Sequence, residues 1–274
     1  MARVRRVAQT RRAGHTGTLD PLATGVLVLC LGRATRLIPY IEEMGGTEAK
    51  EYEARIRFGF ETTTDDAEGD PRGQSSSTSA LTEGIVSAAL AAFVGEIQQI
   101  PPAFSAKKVA GERAYAVARR GGDVDLKPVT VQVAAAELLR LEGDYALVRF
   151  ACARGTYIRA LARDLGRALG VGAHLAALRR TRSGVGTLDR AVRLDDLNPE
   201  SLSRALVPLT SVLETWPSVT AGEREAADLR LGRAVTLGGV NEGTRTRVRV
   251  CDLQGNLVAL AHAEGSRMQP FCVF

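Results

Sequence analysis

Alternation of apolar and polar residues marks the clearest strand of the chain. In residues 52–58, YEARIRF, every second side chain is apolar, and a strand with this period turns its apolar side chains to one face. Apolar-rich segments predict further strands at 129–133 and 145–152. The apolar run at 26–31 is too short for a typical helix, and we therefore predict that it is a buried strand.

Two segments instead repeat their apolar residues at the period of a helix. Residues 81–94 predict a helix that Thr82 caps, with an apolar side made of Ile85, Ala89, Ala92 and Phe93. Residues 153–170 predict a second helix, which Thr156 can cap and Gly170 can end. Its apolar positions are Ile158, Leu161, Leu165 and Leu169. Another stripe of this helix consists of Arg159, Arg163 and Arg167, and most such stripes are solvated.

Loops divide the rest of the chain into a large and a small part. Residues 61–79, ETTTDDAEGDPRGQSSSTS, have no apolar period and are predicted as a loop. A break near 195–214 precedes a tail with a turn at 252–256. The tail strands are predicted at 234–237, 244–251 and 257–261. We therefore predict a large α+β domain over 1–214 and a small β domain over 215–274.

Composition excludes several classes of protein. The chain has 274 residues, and its longest apolar run falls far short of the roughly 20 residues that a membrane-spanning helix needs. Its first residues, MARVRRVAQTRR, lack the apolar core of a signal peptide. The four cysteines are scattered without a CxxC pair, which argues against a disulfide framework or a zinc site and fits a reducing cytoplasm. Cys30 and Cys152 are predicted as small core residues.

Charge is distributed in blocks along the chain. Residues 1–40 contain seven arginines and one aspartate, whereas residues 41–99 contain four basic and twelve acidic side chains. Basic residues are again in excess over 100–130 and 131–190. Such blocks favour a focused positive surface that binds a phosphate backbone, although a role in solubility alone would leave the same pattern.

Residues 99–128 combine basic and aromatic side chains behind a Pro-Pro step. That combination suits a strand of nucleic acid, because cations contact phosphates while aromatic rings stack on bases. A solvated surface hairpin would have a similar composition.

A single carboxylate stands out near the start of the chain, in GHTGTLDPLATG at residues 14–25. Pro21 disfavours the helical conformation at Asp20, and Gly14 and Gly17 permit unusual backbone angles before it. Asp20 is therefore held at the mouth of the predicted strand at 26–31. From these residues alone it could cap a helix, join a salt bridge or act as a nucleophile.

Four segments together resemble the TruB family of tRNA pseudouridine synthases, and the resemblance extends in order over nearly the whole chain. The segments are GHTGTLDPLATGVLVLCLGRATRL at 14–37, KEYEARIRFGFETTTDDAEG at 50–69, QIPPAFSAKKVAGERAYAVARRG at 99–121 and ARGTYIRALARDLGRALGVGAHLAALRRTRSG at 153–184. The tail is similar to the PUA-type RNA-binding domain of many members. The resemblance implies the pseudouridine synthase fold, with a mixed, mainly antiparallel sheet flanked by helices and a PUA-like β domain after it.

The resemblance also implies an activity, the isomerisation of uridine to pseudouridine at position 55 in the T loop of tRNA. The isomerisation transfers no electrons, so neither a redox cofactor nor a metal is expected. The expected partner is the T arm of tRNA, bound by a monomer in the cytoplasm. Family members normally carry a further apolar strand and a Lys-Pro motif before the segment that matches residues 2–17, so a shortened N-terminus is expected here. An RNA-folding role without catalysis, or activity on another RNA, remains an alternative.

Three catalytic residues follow from the matched motifs. Asp20 would attack the substrate or stabilise positive charge at C1′ of the ribose. Arg159, in the matched Gly-Thr-Tyr-Ile-Arg segment, would be its counter-ion, because a nearby cation keeps a carboxyl group ionised. Tyr52 matches the aromatic residue that packs on the uracil. Whether Asp20 bonds to the sugar or to the base stays open.

The remaining site residues are implied to contact the flipped nucleotide or the RNA around it. His15 would fill the space that the nucleotide vacates, although a histidine in such a loop can also cap the backbone. Tyr157 and Leu178 would form walls of the uracil pocket, but both could be ordinary core residues. His174 is predicted to be structural. The predicted RNA-binding residues are Lys107, Lys108, Arg113, Arg119, Arg179 and Arg180.

Overall fold

The computed structural model describes residues 1–44, 46–104, 108–109, 112–113, 115, 120, 126–238 and 245–274. Its strands are β1 Ala13–His15, β2 Ala23–Gly25, β3 Leu29–Leu31, β4 Lys50–Phe58, β5 Glu61–Thr62, β6 Pro71–Arg72, β7 Gly95–Gln99, β8 Lys108–Val109, β9 Glu112–Arg113, β10 Val129–Glu142, β11 Tyr145–Cys152, β12 Ala173–Ser183, β13 Gly186–Thr187, β14 Ser218–Thr220, β15 Val235–Thr236, β16 Thr246–Cys251, β17 Leu257–Glu264 and β18 Arg267–Val273. Its helices are α1 Ala2–Val7, α2 Ile38–Met44, α3 Glu83–Ala91, α4 Ile158–Ala168, α5 Pro199–Ala205, α6 Leu209–Val212 and α7 Glu223–Arg230. Across the described ranges, none of these helices has the length and apolar character to cross a membrane.

A mixed sheet forms the centre of one compact unit, which comprises residues 16–28 and 42–191. Its strand order is β13-β12-β4-β11-β10-β7, and β2 pairs with β12. The β2–β12 pairing is parallel and the other pairings are antiparallel, which confirms the predicted mixed, mainly antiparallel sheet. Helices α3 and α4 contact β10 and β12 respectively, and their apolar side chains share one buried core with the sheet.

The alternating pattern of residues 52–58 is confirmed by strand β4. Tyr52, Ala54, Ile56 and Phe58 are buried, whereas Arg55 is exposed. Because burying an apolar side chain is worth roughly 1.5–3 kcal/mol, the period fixes which face of β4 turns to the core. A register slip of one residue would place Arg55 there instead.

The other compact unit comprises residues 1–15, 29–41 and 192–274. Its larger sheet has the order β14-β16-β17-β18-β15, with β14 parallel to β16 and the other neighbours antiparallel. The predicted turn at 252–256 separates β16 from β17. The tail strands differ from the predicted ranges at their ends, and Thr244 lies outside the described residues. The compact units also differ from the predicted division at residue 214, because residues 1–15, 29–41 and 192–214 belong to the same unit as the tail.

Two elements differ from the predictions in ways that have a physical cause. The run at 26–31 is not one strand: β2 ends at Gly25, whose φ is 98°, and β3 begins at Leu29. Thr82 does cap α3, by accepting a hydrogen bond from the backbone N–H of Ile85. The predicted apolar side of α3 is correct only in part: Ala89 and Phe93 pack against the core, but Val86 and Leu90 are the buried residues and Ile85 is exposed.

Candidate functional site

The loop before β2 places Asp20 at the edge of the central sheet. The backbone carbonyl of Asp20 accepts a hydrogen bond of 2.9 Å from the N–H of Ala23, which closes a turn over Pro21. Strand β2 then pairs with residues 178–180 of β12. The Asp20 side chain keeps one third of its surface exposed, so its carboxylate remains accessible to a substrate.

Arg159 binds the Asp20 carboxylate with two hydrogen bonds. Its Nε donates to Oδ2 at 2.9 Å and its Nη2 donates to Oδ1 at 3.1 Å. The arginine side chain is only 7% exposed. A bidentate guanidinium of this kind orients both carboxylate oxygens. The predicted pairing of these two residues is present.

The remaining N–H groups of Arg159 are held by two other segments. Nη1 donates to the carbonyl of Thr64 at 3.2 Å and lies 3.4 Å from Oδ2 of Asp66. Nη2 also donates to the carbonyl of Phe104 at 3.1 Å. Asp66 was not among the predicted site residues, because it lies in the acidic segment 61–79 that was predicted as a loop. A buried arginine that faces two carboxylates and two carbonyls has few alternative orientations.

Most arginine stripes of this kind are solvated, but α4 buries two of its three arginines. Arg159 and Arg163 are both buried, whereas the side chain of Arg167 is half exposed. Arg163 Nη1 donates to Oδ2 of Asp65 at 2.8 Å. Burial raises the pKa of the Asp65 carboxyl group, and the neighbouring Arg163 opposes that change. The sequence features that could have indicated this arrangement are the adjacent acids Asp65 and Asp66 and the arginines that recur every fourth residue along α4.

The start of α4 is fixed by backbone contacts. Tyr157 is the N-cap residue, and Thr156 instead donates to the carbonyl of Ala153, so the predicted cap is wrong. The side-chain amide of Gln99 accepts a hydrogen bond from the backbone N–H of Tyr157 at 2.8 Å. It also donates one to the backbone carbonyl of Tyr157 at 3.1 Å. Gly170 follows the helix with a φ of 72°, as predicted for a residue that ends it.

Tyr52 lies opposite Arg180 where β4 pairs with β12. Burial raises the pKa of the Tyr52 phenol to about 12; Cys152 and Asp20 also raise it, whereas Arg180 opposes them. The Tyr52 hydroxyl group is therefore neutral near pH 7. It can donate and accept hydrogen bonds, but it is not a ready-made anionic base.

Arg180 is a correction to the predicted RNA contacts. Its side chain is fully buried, with Nε donating to the carbonyl of Val26 at 2.7 Å and Nη2 to that of Gly17 at 3.3 Å. A guanidinium enclosed in this way cannot reach phosphate at the surface. Its Nη1 is buried and has no hydrogen-bond partner among the described residues.

The other predicted contacts are placed as follows. Leu178 is buried in β12 and belongs to the core that contains Tyr52, and Tyr157 is half-buried. His15 is half-buried in β1, within the other compact unit, and its Nδ1 is buried without a partner in the described part of the chain.

The predicted RNA-binding residues differ in what the structure describes. Arg179 is exposed on β12. Lys108 and Arg113 lie in β8 and β9, which pair with each other. Lys107 and Arg119 lie outside the described residues. Within the described ranges, no three His, Cys, Asp or Glu side chains converge as metal ligands would.

Comparison with known proteins gives relatives of similar length. A protein called tRNA pseudouridine synthase B from Arthrobacter sp. (strain FB24) is 46% identical over 285 residues, which is all of this chain and 91% of the relative. The protein of that name from Mycobacterium tuberculosis (strain ATCC 25618 / H37Rv) is 42% identical over 278 residues, covering all of this chain and 90% of the relative.

Solved structures with the same fold are also found. A structure described as an H/ACA RNP bound to a substrate RNA containing 2'-deoxyuridine has a TM-score of 0.71 and 26% identity, and the match covers 100% of this chain and 79% of that one. A crystal structure of a Cbf5-Nop10-Gar1 complex has a TM-score of 0.67 and 29% identity, with 97% and 74% covered.

Family descriptions account for almost the whole chain. "TruB family pseudouridylate synthase (N terminal domain)" matches residues 5–158, and "tRNA pseudouridylate synthase B C-terminal domain" matches residues 159–214. "tRNA Pseudouridine synthase II, C terminal" matches residues 216–274. The first match alone covers more than half of the chain, and it contains both Asp20 and Tyr52. The chain therefore belongs to the TruB family of pseudouridylate synthases and has the pseudouridine synthase fold.

Proposed function

We propose that this chain converts uridine to pseudouridine at position 55 in the T loop of tRNA, with Asp20 as the nucleophile. The observation that carries the proposal is the bidentate pairing of Asp20 with the buried Arg159, which leaves one third of the carboxylate side chain exposed. The chain is an isomerase by family, and the full-length relatives named above are tRNA pseudouridine synthases. The proposal goes beyond the names of these relatives by assigning the activity to one position in the T arm.

The reaction rearranges one nucleotide without adding or removing electrons. The bond between C1′ of the ribose and N1 of the uracil breaks, the base turns, and C5 bonds to C1′. C5 then loses its proton, and N1 gains one. An ionised carboxylate serves the first step, because it can attack or stabilise the electron-poor centre that forms. Arg159 balances the charge of the carboxylate and aims its oxygens.

Neighbouring residues complete the proposed site. Tyr52 presents an aromatic face to the uracil and a neutral hydroxyl group to the protons that move. Leu178 and Tyr157 form apolar walls that exclude water from the reacting base. His15 occupies the space in the RNA stack that the flipped nucleotide leaves. Phosphates of the T arm contact Arg179 and the basic segment whose members are Lys107, Lys108, Arg113 and Arg119.

The test of the proposal is the Asp20→Asn variant. It removes the charge but keeps the size of the side chain, so we expect pseudouridine formation in a T-arm RNA to fall at least about 1,000-fold. The dissociation constant for tRNA should stay within about two-fold, since the carboxylate does not bind phosphate. Asp70→Asn is the matched control, because Asp70 is an exposed acid of the same unit.

Two results would contradict the proposal. Product formation by Asp20→Asn at the wild-type rate would show that Asp20 is not the nucleophile. Mapping of pseudouridine in tRNA and other RNA from cells that lack the protein tests the substrate, because an unchanged T loop would exclude position 55. If those cells instead lose folded tRNA without loss of any pseudouridine, an RNA-folding role replaces the catalytic one.

A further inference from the structure

A second buried arginine lies one helical turn beyond Arg159 on α4. Arg163 is 6% exposed, and each of its three guanidinium nitrogens has a partner. Nη1 donates to Asp65 Oδ2, Nη2 to the carbonyl of Ile100 at 2.9 Å and Nε to Asp164 Oδ1 at 2.8 Å. None of these partners is Asp20, so Arg163 does not touch the proposed nucleophile.

The acid that Arg163 holds has an unusual backbone conformation. Asp65 has a φ of 61°, in the left-handed region that L-residues seldom adopt. Such a conformation persists when surrounding contacts fix it, and outliers of this kind concentrate at functional sites. Here the Asp65 carbonyl accepts from Leu175 N–H at 3.0 Å, and the N–H of Ala67 donates to the Leu175 carbonyl at 2.9 Å. These bonds and the Arg163 ion pair fix both the backbone and the side chain of Asp65.

The turn at Asp65 determines what Arg159 meets. The residue before it supplies the Thr64 carbonyl, and the residue after it supplies the Asp66 carboxylate, and both face Nη1 of Arg159. Asp66 is itself oriented by Thr64 Oγ1, which donates to its Oδ1 at 2.5 Å. A shift of this turn would therefore move both groups that hold one side of the Arg159 guanidinium. The other side of that planar group is the one that binds Asp20.

We infer that the Arg163–Asp65 pair is a positioning device for the catalytic ion pair. It fixes the 64–66 turn, the turn fixes the rotation of the Arg159 guanidinium, and that rotation aims the Asp20 carboxylate. The inference rests on the proposed function of Asp20. Arg163 and Asp65 are positioning residues, because they act on the carboxylate only through Arg159.

The chain offers a matched control on the same helix. Arg167 lies one turn further along α4 and binds Glu61 with two hydrogen bonds, from Nε and from Nη2. This pair is more exposed, and neither member contacts Asp65, Asp66 or Arg159 in the hydrogen bonds and ion pairs of the described residues. Arg167→Gln therefore removes an arginine–carboxylate pair from α4 without disturbing the 64–66 turn.

The experiment measures single-turnover pseudouridine formation at saturating T-arm RNA, together with RNA affinity and thermal unfolding. Arg163→Gln and Asp65→Asn should each lower the rate constant by about 10- to 100-fold, which is the effect of misplacing a catalytic group by about 1 Å. RNA affinity should stay within about two-fold, since neither side chain is placed to bind RNA. Asn is chosen because it tolerates the left-handed conformation of residue 65. Arg167→Gln should keep the wild-type rate.

Two further variants separate positioning from stability. The double variant Asp65→Asn/Arg163→Gln should be no slower than the slower single variant, because both changes break the same link. Arg163→Lys should recover part of the rate, since a lysine can pair with Asp65 but cannot reach three partners at once. Arg163→Lys and Asp65→Asn keep the test decisive if Arg163→Gln fails to fold. A structural role alone would lower the unfolding temperature and leave the rate of the folded enzyme unchanged.

Asp20→Asn is assayed beside these variants. If it is inactive while folded Arg163→Gln and Asp65→Asn keep the wild-type rate, the positioning inference is overturned and the proposed function stands. Equal loss of rate in Arg167→Gln would also overturn it, because any ion pair on α4 would then have the same effect. If Asp20→Asn is fully active, the proposed function itself fails.

Discussion

Burial alters the acid–base chemistry of Tyr52. It lies on the buried face of β4, where removal from water raises the pKa of its phenol to about 12. Near neutral pH the hydroxyl group therefore enters the reaction protonated. Its contribution to proton movement must come through a hydrogen bond or a proton relay, whereas its contribution to base packing requires only the ring.

The Tyr52→Phe variant separates these two contributions. It keeps the aromatic ring, so we expect the affinity for T-arm RNA to stay within about two-fold. The single-turnover rate should fall by about 100-fold, because a positioned proton donor or acceptor contributes that much or more. Tyr145→Phe is the control, since Tyr145 is a half-buried tyrosine of the same sheet whose ring lies 4.1 Å from the Arg55 guanidinium carbon. A wild-type rate in Tyr52→Phe would show that the hydroxyl group does not contribute and that Tyr52 acts only through the packing of its ring on the base.

The residues of the site were only partly predictable. The pairing of Asp20 with Arg159 followed from the two matched motifs, although the residues are 139 positions apart in the chain. Asp66 and Arg163 were missed because the same polarity and spacing occur in an exposed loop or a solvated helix stripe and in a buried ion-pair network. Only the tertiary contact shows that each charge is buried against a charge of the opposite sign.

At the scale of elements, the parallel pairing of β2 with β12 positions the Asp20 loop. Gly25 ends β2 with a φ of 98°, and a Cβ atom there would overlap the backbone of Arg180. A glycine is therefore needed for two reasons, the conformation and the close approach of another backbone. Asp20 lies five positions before Gly25 in the chain, just ahead of β2.

Gly25→Ala should consequently be strongly destabilising. We expect a loss of about 3 kcal/mol or more in the free energy of unfolding, because backbone strain and steric overlap both contribute. Gly143→Ala is the matched control, since Gly143 also has a positive φ of 54°, but a Cβ atom added there would have no neighbouring atom within 4 Å. That control should cost about 1 kcal/mol, which is the strain of the left-handed conformation alone. Urea unfolding of both variants measures the difference, and equal losses would exclude a role for the close approach.

Helix α4 shows how far an element can be predicted from its own residues. The apolar period placed Ile158, Leu161 and Leu165 in the core correctly. The apolar period did not predict whether the arginine stripe is buried, because the solvation of a helix face depends on what packs against it. The same limit explains why the apolar side predicted for α3 included the exposed Ile85 and omitted the buried Val86 and Leu90. These residues are similarly apolar, so the sequence does not rank them.

At the scale of the whole molecule, the protonation of buried histidine links stability to pH. His174 is 3% exposed, and a neutral imidazole there donates its Nδ1 proton to the carbonyl of Phe60. Burial lowers the pKa of His174, and Arg57 lowers it further, whereas the Phe60 hydrogen bond and Asp66 oppose them. The predicted structural role of this histidine agrees with its burial.

The direction of the pH effect follows from that lowered pKa. The unfolded chain takes up a proton on His174 near pH 6.5, before the folded chain does. Stability from this residue is therefore complete above about pH 6.5 and is lost as the pH falls toward the lower pKa of the folded state. We expect the unfolding temperature to fall by a few degrees between pH 7 and pH 5.5, and His174→Gln to reduce that dependence. An identical pH dependence in His174→Gln would exclude His174 as its source.

The sequence by itself determined the family, the period of β4 and α4, and the two motifs that supply Asp20 and Arg159. These features are local, since a strand, a helix or a glycine-punctuated loop depends mainly on neighbouring residues. Tertiary structure alone decided the composition of the compact units, the burial of Arg163 and Arg180, and the partners of Arg159 other than Asp20. A charged side chain carries no mark of its burial in the sequence, because burial is acceptable only where folding brings an opposite charge or a carbonyl within reach.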